Sequence, residues 1–256
     1  MDIATIVGVV LAFVAIFTTM ILEGGSPLAI FLIPALILVF VGTLGAGLAG
    51  GLLSDAKNAG KALVLAFTAK PASAAGTVET VVRLAERARR EGLLALESEI
   101  KSVDDAFLRD GLQSAVDGAD PDELREILYG KIDTKRAADK QSAKFYADMG
   151  GYAPTIGIIG TVLGLIHVLE NLSEPEKLGH LIAGAFVATL WGVLSANVLW
   201  LPIASRLKRL SEVECQQMEV ALEGVLAIQS GTSPRVVAER LTSLLPPGSV
   251  PEQKAA

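Results

Sequence analysis

The fold of this chain is decided by two apolar stretches, MGGYAPTIGIIGTVLGLIHVLE (residues 149–170) and HLIAGAFVATLWGVLSANVLWLPIAS (residues 180–205). Neither stretch has a charged residue between Met149 and Ile166 or between Leu181 and Ser205. A helix rises about 1.5 Å per residue, so each stretch is long enough, or nearly so, to cross a hydrocarbon core of about 30 Å. The sequence therefore predicts two antiparallel membrane-spanning helices joined by a polar hairpin at residues 170–180.

Small and weakly polar residues form one face of each predicted helix. In the first helix they recur at steps of three and four: Pro154, Gly157, Thr161 and Gly164. In the second helix the stripe is broader: Ala185, Ala188, Thr189, Gly192, Ser195 and Ala196. A helix that only contacted lipid would not need such a face. We expect these faces to receive another backbone closely or to line a narrow path.

Two hydroxyls and two prolines on these helices are candidate functional groups. Thr161 and Thr189 lie about 18 Å and about 24 Å from the same end of the antiparallel pair, so both fall in the middle region of the bilayer. We interpret them as ion-pathway residues. Pro154 and Pro202 lie within about 8 Å of one membrane face. A proline inside a helix frees a carbonyl and permits a bend, so we interpret the pair as a hinge, although proline is also common in membrane helices generally.

Composition indicates a membrane protein with a substantial soluble part, because 51% of the 256 residues are hydrophobic and 20% are charged. The net charge of −6 argues against a nucleic-acid-binding protein. The single Cys215 excludes an intrachain disulfide, and the few histidines lie too far from it to predict a metal site. We therefore expect no bound metal or cofactor.

Two further apolar stretches come earlier, at residues 3–22 and 28–53. The first has no basic segment before it and no small-residue cleavage site after it, so we expect a retained helix and not a signal peptide. Nearly all lysines and arginines lie in residues 55–148 or after Ser205. The positive-inside bias therefore predicts four spans with both termini in the cytoplasm.

These patterns predict an all-α integral membrane protein in four parts. Residues 1–54 hold the first two membrane helices, and residues 55–148 form a helical cytoplasmic domain. Residues 149–205 hold membrane helices three and four, the core of the ion pathway, and residues 206–256 form a cytoplasmic helix and tail. No strand-like alternation occurs. Outside the spans we expect helices at residues 57–70, 77–100, 104–116, 122–145, 206–229 and within 230–245, with breaks at 71–76 and 118–121 and a disordered tail at 246–256.

The apolar stretches at residues 149–170 and 180–205 resemble the third and fourth membrane helices of the MotA family, the larger stator subunits of the bacterial flagellar motor. The resemblance also covers the order of elements along the chain. It implies an ion-driven flagellar stator subunit of the bacterial inner membrane, not an enzyme. It also implies a homopentamer around a dimer of a MotB-type partner, whose single span supplies a membrane aspartate. The transported ion is H⁺ or Na⁺, and Thr161 is compatible with both.

A second block of resemblance lies in ARREGLLALE, residues 88–97. MotA subunits carry a basic residue here and an acidic residue eight positions later, and these charges engage the rotor switch protein FliG. Arg89 and Glu97 match that spacing, and Arg90 is a second basic candidate. The alternative is a solvated helix face with internal pairs, since Glu86 and Arg90 are four residues apart.

Other functions fit the sequence less well. ExbB- and TolQ-type energisers share the paired helices, but they usually have one span before the cytoplasmic domain, whereas this chain has two. A secondary transporter should show an internal repeat, and an enzyme should give His167 or His180 a catalytic partner. Because no predicted span contains Asp, Glu, Lys or Arg, we expect another chain to supply a carboxylate against the small-residue faces.

Overall fold

A computed structural model describes residues 3–69 and 74–246 of the chain. All regular secondary structure in these residues is helical, which confirms the all-α prediction. The chain divides into two compact units, Met1–Lys70 with Asp139–Leu210 and Pro71–Ala138 with Ser211–Ala256. The predicted disordered tail lies outside the described residues from position 247 onward.

The first unit begins with two apolar helices. Helix α1 spans Ile3–Leu22, as predicted, and a 3₁₀ turn at Pro27–Ile30 leads to α2 at Ile33–Ala49. The predicted span of 28–53 is therefore too long at both ends. Proline has no N–H to donate, so Pro34 is accommodated in the first helical turn and the helix begins just before it.

At the other end of α2, Gly50 and Gly51 separate it from α3, an amphipathic helix at Leu53–Thr68. Asp55 caps α3 by accepting the N–H of Leu52 at 3.1 Å. The helix therefore begins four residues before the predicted start at position 57. The alanines of α3 form a buried cluster with Tyr146. The hydroxyl of Tyr146 donates to the carbonyl of Ala59 at 2.9 Å.

Two long helices, α7 at Pro121–Glu170 and α8 at Pro175–Gln229, contribute residues to both units. The hairpin between them is shorter than the predicted 170–180. Within the described residues, only these two helices are long and apolar enough to cross a membrane by length and composition. The apolar segments Ile6–Leu22 and Ile33–Ala49 are shorter.

Wide π-helical turns interrupt two of the apolar helices, at Ile37–Val41 in α2 and at Ala196–Trp200 in α8. The second ends two residues before Pro202, which has no N–H to donate to the carbonyl four residues earlier. An aromatic cluster packs beside these turns. The ring of Trp191 lies 5.9 Å from that of Phe40, and its Nε1–H donates to the carbonyl of Ile30 at 2.6 Å.

The second unit is a helical domain around a leucine-rich core. Its shorter helices are α4 at Ala74–Glu91, α5 at Glu97–Ile100, α6 at Ala106–Val116 and α9 at Pro234–Thr242. The carboxylate of Asp105 caps α6 by accepting the N–H groups of Phe107 and Leu108 at 2.9 and 3.2 Å. Fully buried leucines form the centre of the core: Leu84, Leu96, Leu112 and Leu241.

Two boundary predictions in this unit are wrong. The predicted helix over residues 77–100 is broken at Gly92, whose φ of +86° lies in the left-handed region that glycine adopts readily. The predicted break at 71–76 ends earlier, since α4 begins at Ala74; residues 71–73 lie outside the described residues. Because Gly92 separates them, Arg89 and Glu97 lie on different segments and not on one polar helix.

Candidate ion-pathway site

The site is built on the close approach of α7 to α8. A Cβ atom added to Gly157 would lie 2.9 Å from the carbonyl oxygen of Ala188 and 3.0 Å from the Cα of Thr189. One added to Gly192 would lie 2.6 Å from the carbonyl oxygen of Ala153. No side chain fits at either position, so the two backbones pack directly against each other.

The contact continues along α7 at Gly160 and Gly164. A Cβ on Gly160 would lie 2.5 Å from the Cβ of Ala188, and a Cβ on Gly164 would lie 2.5 Å from that of Ala185. The stripe predicted from the sequence does not include Gly160. The steps of three and four that join it to Gly157 and Gly164 are the signal that identifies it.

This packing revises the expected use of the small-residue faces. We expected them to receive another backbone or to line a path, and the backbone that they receive is the other helix of the same chain. The centres of both faces are therefore occupied. A partner chain has access only to the edges of the contact.

Thr161 and Thr189 meet at one of those edges. Their hydroxyl groups contact each other. The carbonyl oxygen of Gly157 lies 3.1 Å from the Thr189 hydroxyl and 3.3 Å from that of Thr161, and the carbonyl oxygen of Ala185 also lies 3.3 Å from the Thr161 hydroxyl. Four oxygen atoms thus come together, with two hydroxyl protons to share among them.

The two sides of the helix pair are covered differently. On one side α2 packs closely, since a Cβ on Gly160 would lie 2.9 Å from Leu38 and a Cβ on Gly42 would lie 3.2 Å from Ile156. On the other side, next to the half-buried threonines, large apolar residues are exposed. We call this side the bare face and define it by Ile158, Leu165, Ile182, Phe186 and Val193.

The chemistry available at the threonine pair is that of neutral oxygens. Hydroxyl and carbonyl oxygens can replace the hydration shell of a cation or organise water. They bring no formal charge, and the sequence has none from Met149 to Ile166 or from Leu181 to Ser205. Among the described residues, no group of three or more His, Cys, Asp or Glu side chains could hold a metal ion.

The two prolines flank the contact between α7 and α8. Pro154 is inside α7, and Pro202 follows the π-helical turn of α8. One turn before Pro154, a Cβ on Gly150 would lie 2.6 Å from the side chain of Leu201, the neighbour of Pro202. The carbonyl of Ala153 approaches Gly192, so Pro154 stands near the level of Gly192. Pro202 lies ten residues further along α8, or roughly 15 Å, so the two prolines stand at different levels of the pair.

Asn197 is a polar residue of this region that was not among the predicted site residues. It lies in the π-helical turn, and its side chain is exposed and donates to the carbonyl of Val193 at 2.8 Å. An amide in an otherwise apolar stretch is the sequence signal that identifies it.

The three predicted rotor-contact residues lie in the second unit and are exposed: Arg89, Arg90 and Glu97. Within residues 3–69 and 74–246, none of the three side chains forms a hydrogen bond or an ion pair. The alternative intrahelical pair, Glu86 with Arg90, is not among the ion pairs of those residues. The ion pairs of this segment belong to Arg87, whose pKa is raised by its hydrogen bond to Glu99.

Known proteins share this architecture. Residues 99–220 match the model of the MotA/TolQ/ExbB proton channel family. Motility protein A of Bacillus subtilis (strain 168) is 37% identical over 96% of this chain and 92% of its own length. Motility protein A of Helicobacter pylori (strain ATCC 700392 / 26695) is 33% identical over 97% of this chain and 96% of its own.

Two solved structures have the same fold over nearly the whole chain. The structure of C. jejuni MotAB has a TM-score of 0.93 at 29% identity and covers 98% of this chain and 100% of that one. The flagellar MotAB stator complex from Bacillus subtilis has a TM-score of 0.89 at 36% identity, with 96% and 97% covered. The chain therefore belongs to the MotA/TolQ/ExbB proton channel family.

Proposed function

We propose that this chain is an ion-driven stator subunit of the bacterial flagellar motor. With a MotB-type partner it couples the inward flow of H⁺ or Na⁺ to torque on the rotor. Its relatives over nearly the full length are motility A proteins, and one structural neighbour is a flagellar stator complex. The ExbB- or TolQ-type energiser is the second candidate, and these full-length relationships favour the flagellar motor over it.

The observation that carries the mechanism is a cluster of uncharged oxygens at the threonine pair. A cation is costly to place in hydrocarbon without a compensating charge, and residues 149–166 and 181–205 supply none. The partner's membrane aspartate supplies it. Because the small-residue faces of α7 and α8 pack on each other, the partner helix lies along the bare face, where both threonine hydroxyls are within reach.

Ion binding and release at this position change the local charge. Pro154 and Pro202 form the hinge at which the two helices respond, since neither proline can complete the helical hydrogen bond to the carbonyl four residues before it. Five copies of the chain surround the partner, and FliG is the rotor protein that the exposed Arg89, Arg90 and Glu97 contact. No cofactor takes part beyond the transported ion.

Purified complexes in liposomes test this mechanism. The chain alone should conduct neither H⁺ nor Na⁺, because its oxygen cluster lacks a charge, whereas co-reconstitution with the partner should allow flux under an imposed gradient. Flux is measured with a pH-sensitive or Na⁺-sensitive dye inside the vesicles. Robust flux through the isolated chain would contradict the proposal that the partner supplies the compensating charge.

The membrane topology has four spans, with α1 and α2 as the first two and the apolar parts of α7 and α8 as the others. In a Cys215→Ser background, cysteines at Ser26 and Ser173 should react with an impermeant thiol reagent in intact cells. Ser26 precedes α2 and Ser173 lies between α7 and α8.

A cysteine at Ser114, on α6, should react only after the cells are permeabilised. Permeabilised cells serve as the control for its reactivity. Labelling of position 114 in intact cells would contradict the four-span topology.

A further inference from the structure

Leu94, in the second unit, is a large apolar residue whose side chain is exposed instead of packed in the core. It lies on the 3₁₀ turn Leu93–Leu96, and its side chain is 75% exposed. On the same turn, Leu93 packs against the core and Leu96 is fully buried. A single exposed leucine is ordinary on a protein surface, so its surroundings decide whether it has a role.

The turn that carries Leu94 is held firmly at its base. The N–H of Gly92 donates to the carbonyl of Ala88 at 2.8 Å, and the φ of +86° at Gly92 turns the chain sharply away from α4. Arg87 then joins the two sides of the turn, since it pairs with Glu91 on α4 and with Glu99 on α5. Leu94 is therefore presented on a tethered turn and not on a loose loop.

The charges around Leu94 fall into two groups. The first group forms the ion pairs that close the turn: Arg87 with Glu91 and with Glu99. Within residues 3–69 and 74–246, the exposed side chains of Arg89, Arg90 and Glu97 form no ion pair and no hydrogen bond. Leu94 lies five residues after Arg89 and three residues before Glu97. An apolar side chain that has unpaired charges of both signs so close along the chain has the composition of an interface centre with a polar rim.

We infer that Leu94 is the apolar anchor of the rotor contact. It inserts into a hollow on a rotor protein whose rim carries acidic groups opposite Arg89 and Arg90 and a basic group opposite Glu97. The inference rests on the proposed function, which brings this unit to the rotor. Exposed charge pairs contribute little binding free energy and mainly speed the encounter of the two proteins. Burial of the apolar leucine therefore supplies most of the binding free energy of the contact.

The test compares three variants of the full stator complex in flagellated cells that lack their own A subunit. Leu94→Ser should reduce the recruitment of fluorescently tagged complexes to motors about tenfold, which is typical for the loss of an interface anchor. Leu94→Met should retain most of it, because methionine fills an apolar hollow of similar size. Val236→Ser is the matched control, since Val236 is another exposed apolar residue, 50% exposed on α9.

Two further measurements make the result specific. Ion flux through Leu94→Ser complexes in liposomes should equal that of the wild type, which excludes misfolding as the cause. A photo-reactive benzoylphenylalanine at position 94 should cross-link to a rotor protein, and one at position 236 should not.

The outcomes separate this inference from the proposed function. Normal recruitment of Leu94→Ser, together with loss of recruitment in the double reversal Arg89→Glu with Glu97→Arg, would overturn the leucine anchor and leave the rotor contact standing. An equal loss in Val236→Ser would also overturn the anchor. If the wild-type chain with its partner conducts ions but drives no motor, the flagellar function itself fails.

Discussion

Replacing Thr189 with valine is expected to abolish ion-driven motility. Valine has nearly the shape of threonine but no hydroxyl, so the substitution removes the oxygen that contacts Thr161 and lies 3.1 Å from the carbonyl of Gly157. Loss of one such hydrogen bond costs only about 1 kcal/mol of stability, which the protein should survive. The other three oxygens of the cluster remain, but the contact between the two hydroxyls on the proposed ion pathway is lost. Swimming in soft agar and ion flux in liposomes measure the effect.

Thr155→Val is the matched control for this experiment. Thr155 is exposed on α7, and its hydroxyl donates to the carbonyl of Tyr152 at 2.7 Å, away from the threonine pair. We expect this variant to swim normally. Thr161→Ala should mainly change the preference between Na⁺ and H⁺, because Thr189 still offers its oxygen. Normal swimming of Thr189→Val would mean that its hydroxyl serves only to pack the helices.

Gly192→Ala should destabilise the membrane helices and stop motility. The added methyl group would lie 2.6 Å from the carbonyl oxygen of Ala153 and 3.0 Å from the Cα of Gly157, and backbone atoms cannot move aside as a flexible side chain can. The helices must separate, at a cost of about 1–3 kcal/mol. Thermal unfolding of the purified complex in detergent should show a lowered melting temperature.

The sign of the change in melting temperature distinguishes a close backbone contact from an open helical position. In an open helical position, replacing glycine with alanine stabilises a helix by roughly 0.5–1 kcal/mol. Gly179 is such a position on the same helix, since no atom lies within 4 Å of an added Cβ. Gly179→Ala should therefore keep or raise the melting temperature. A melting temperature for Gly192→Ala as high as that of Gly179→Ala would contradict the close contact of α7 and α8.

Much of the site followed from local properties of the chain. The length and apolarity of residues 149–205 indicated the helix pair, and a period of 3.6 residues placed Gly157 with Thr161 and Ala188 with Thr189 on common faces. The absence of charge from these stretches indicated that the ion needs a second chain. Each of these conclusions depends only on helix geometry and on the cost of charge in hydrocarbon.

The rest depended on which distant residues come into contact. Periodicity identified the small-residue faces but could not tell that they pack on each other, so the bare face beside the threonines emerged only from the tertiary structure. The break at Gly92 was hidden because its neighbours have the composition of a helix. The exposure of Leu94 depends on how that turn docks on the core.

The amino-acid sequence thus determined the helices, their apolar lengths and the residues that share each face, since neighbours within a few turns set these features. Tertiary structure alone decided that the Thr161 and Thr189 hydroxyls meet and that Arg87 closes the turn below Leu94. The threonines are 28 positions apart. No local pattern specifies such a pairing, because it arises when two complete helices find their closest packing.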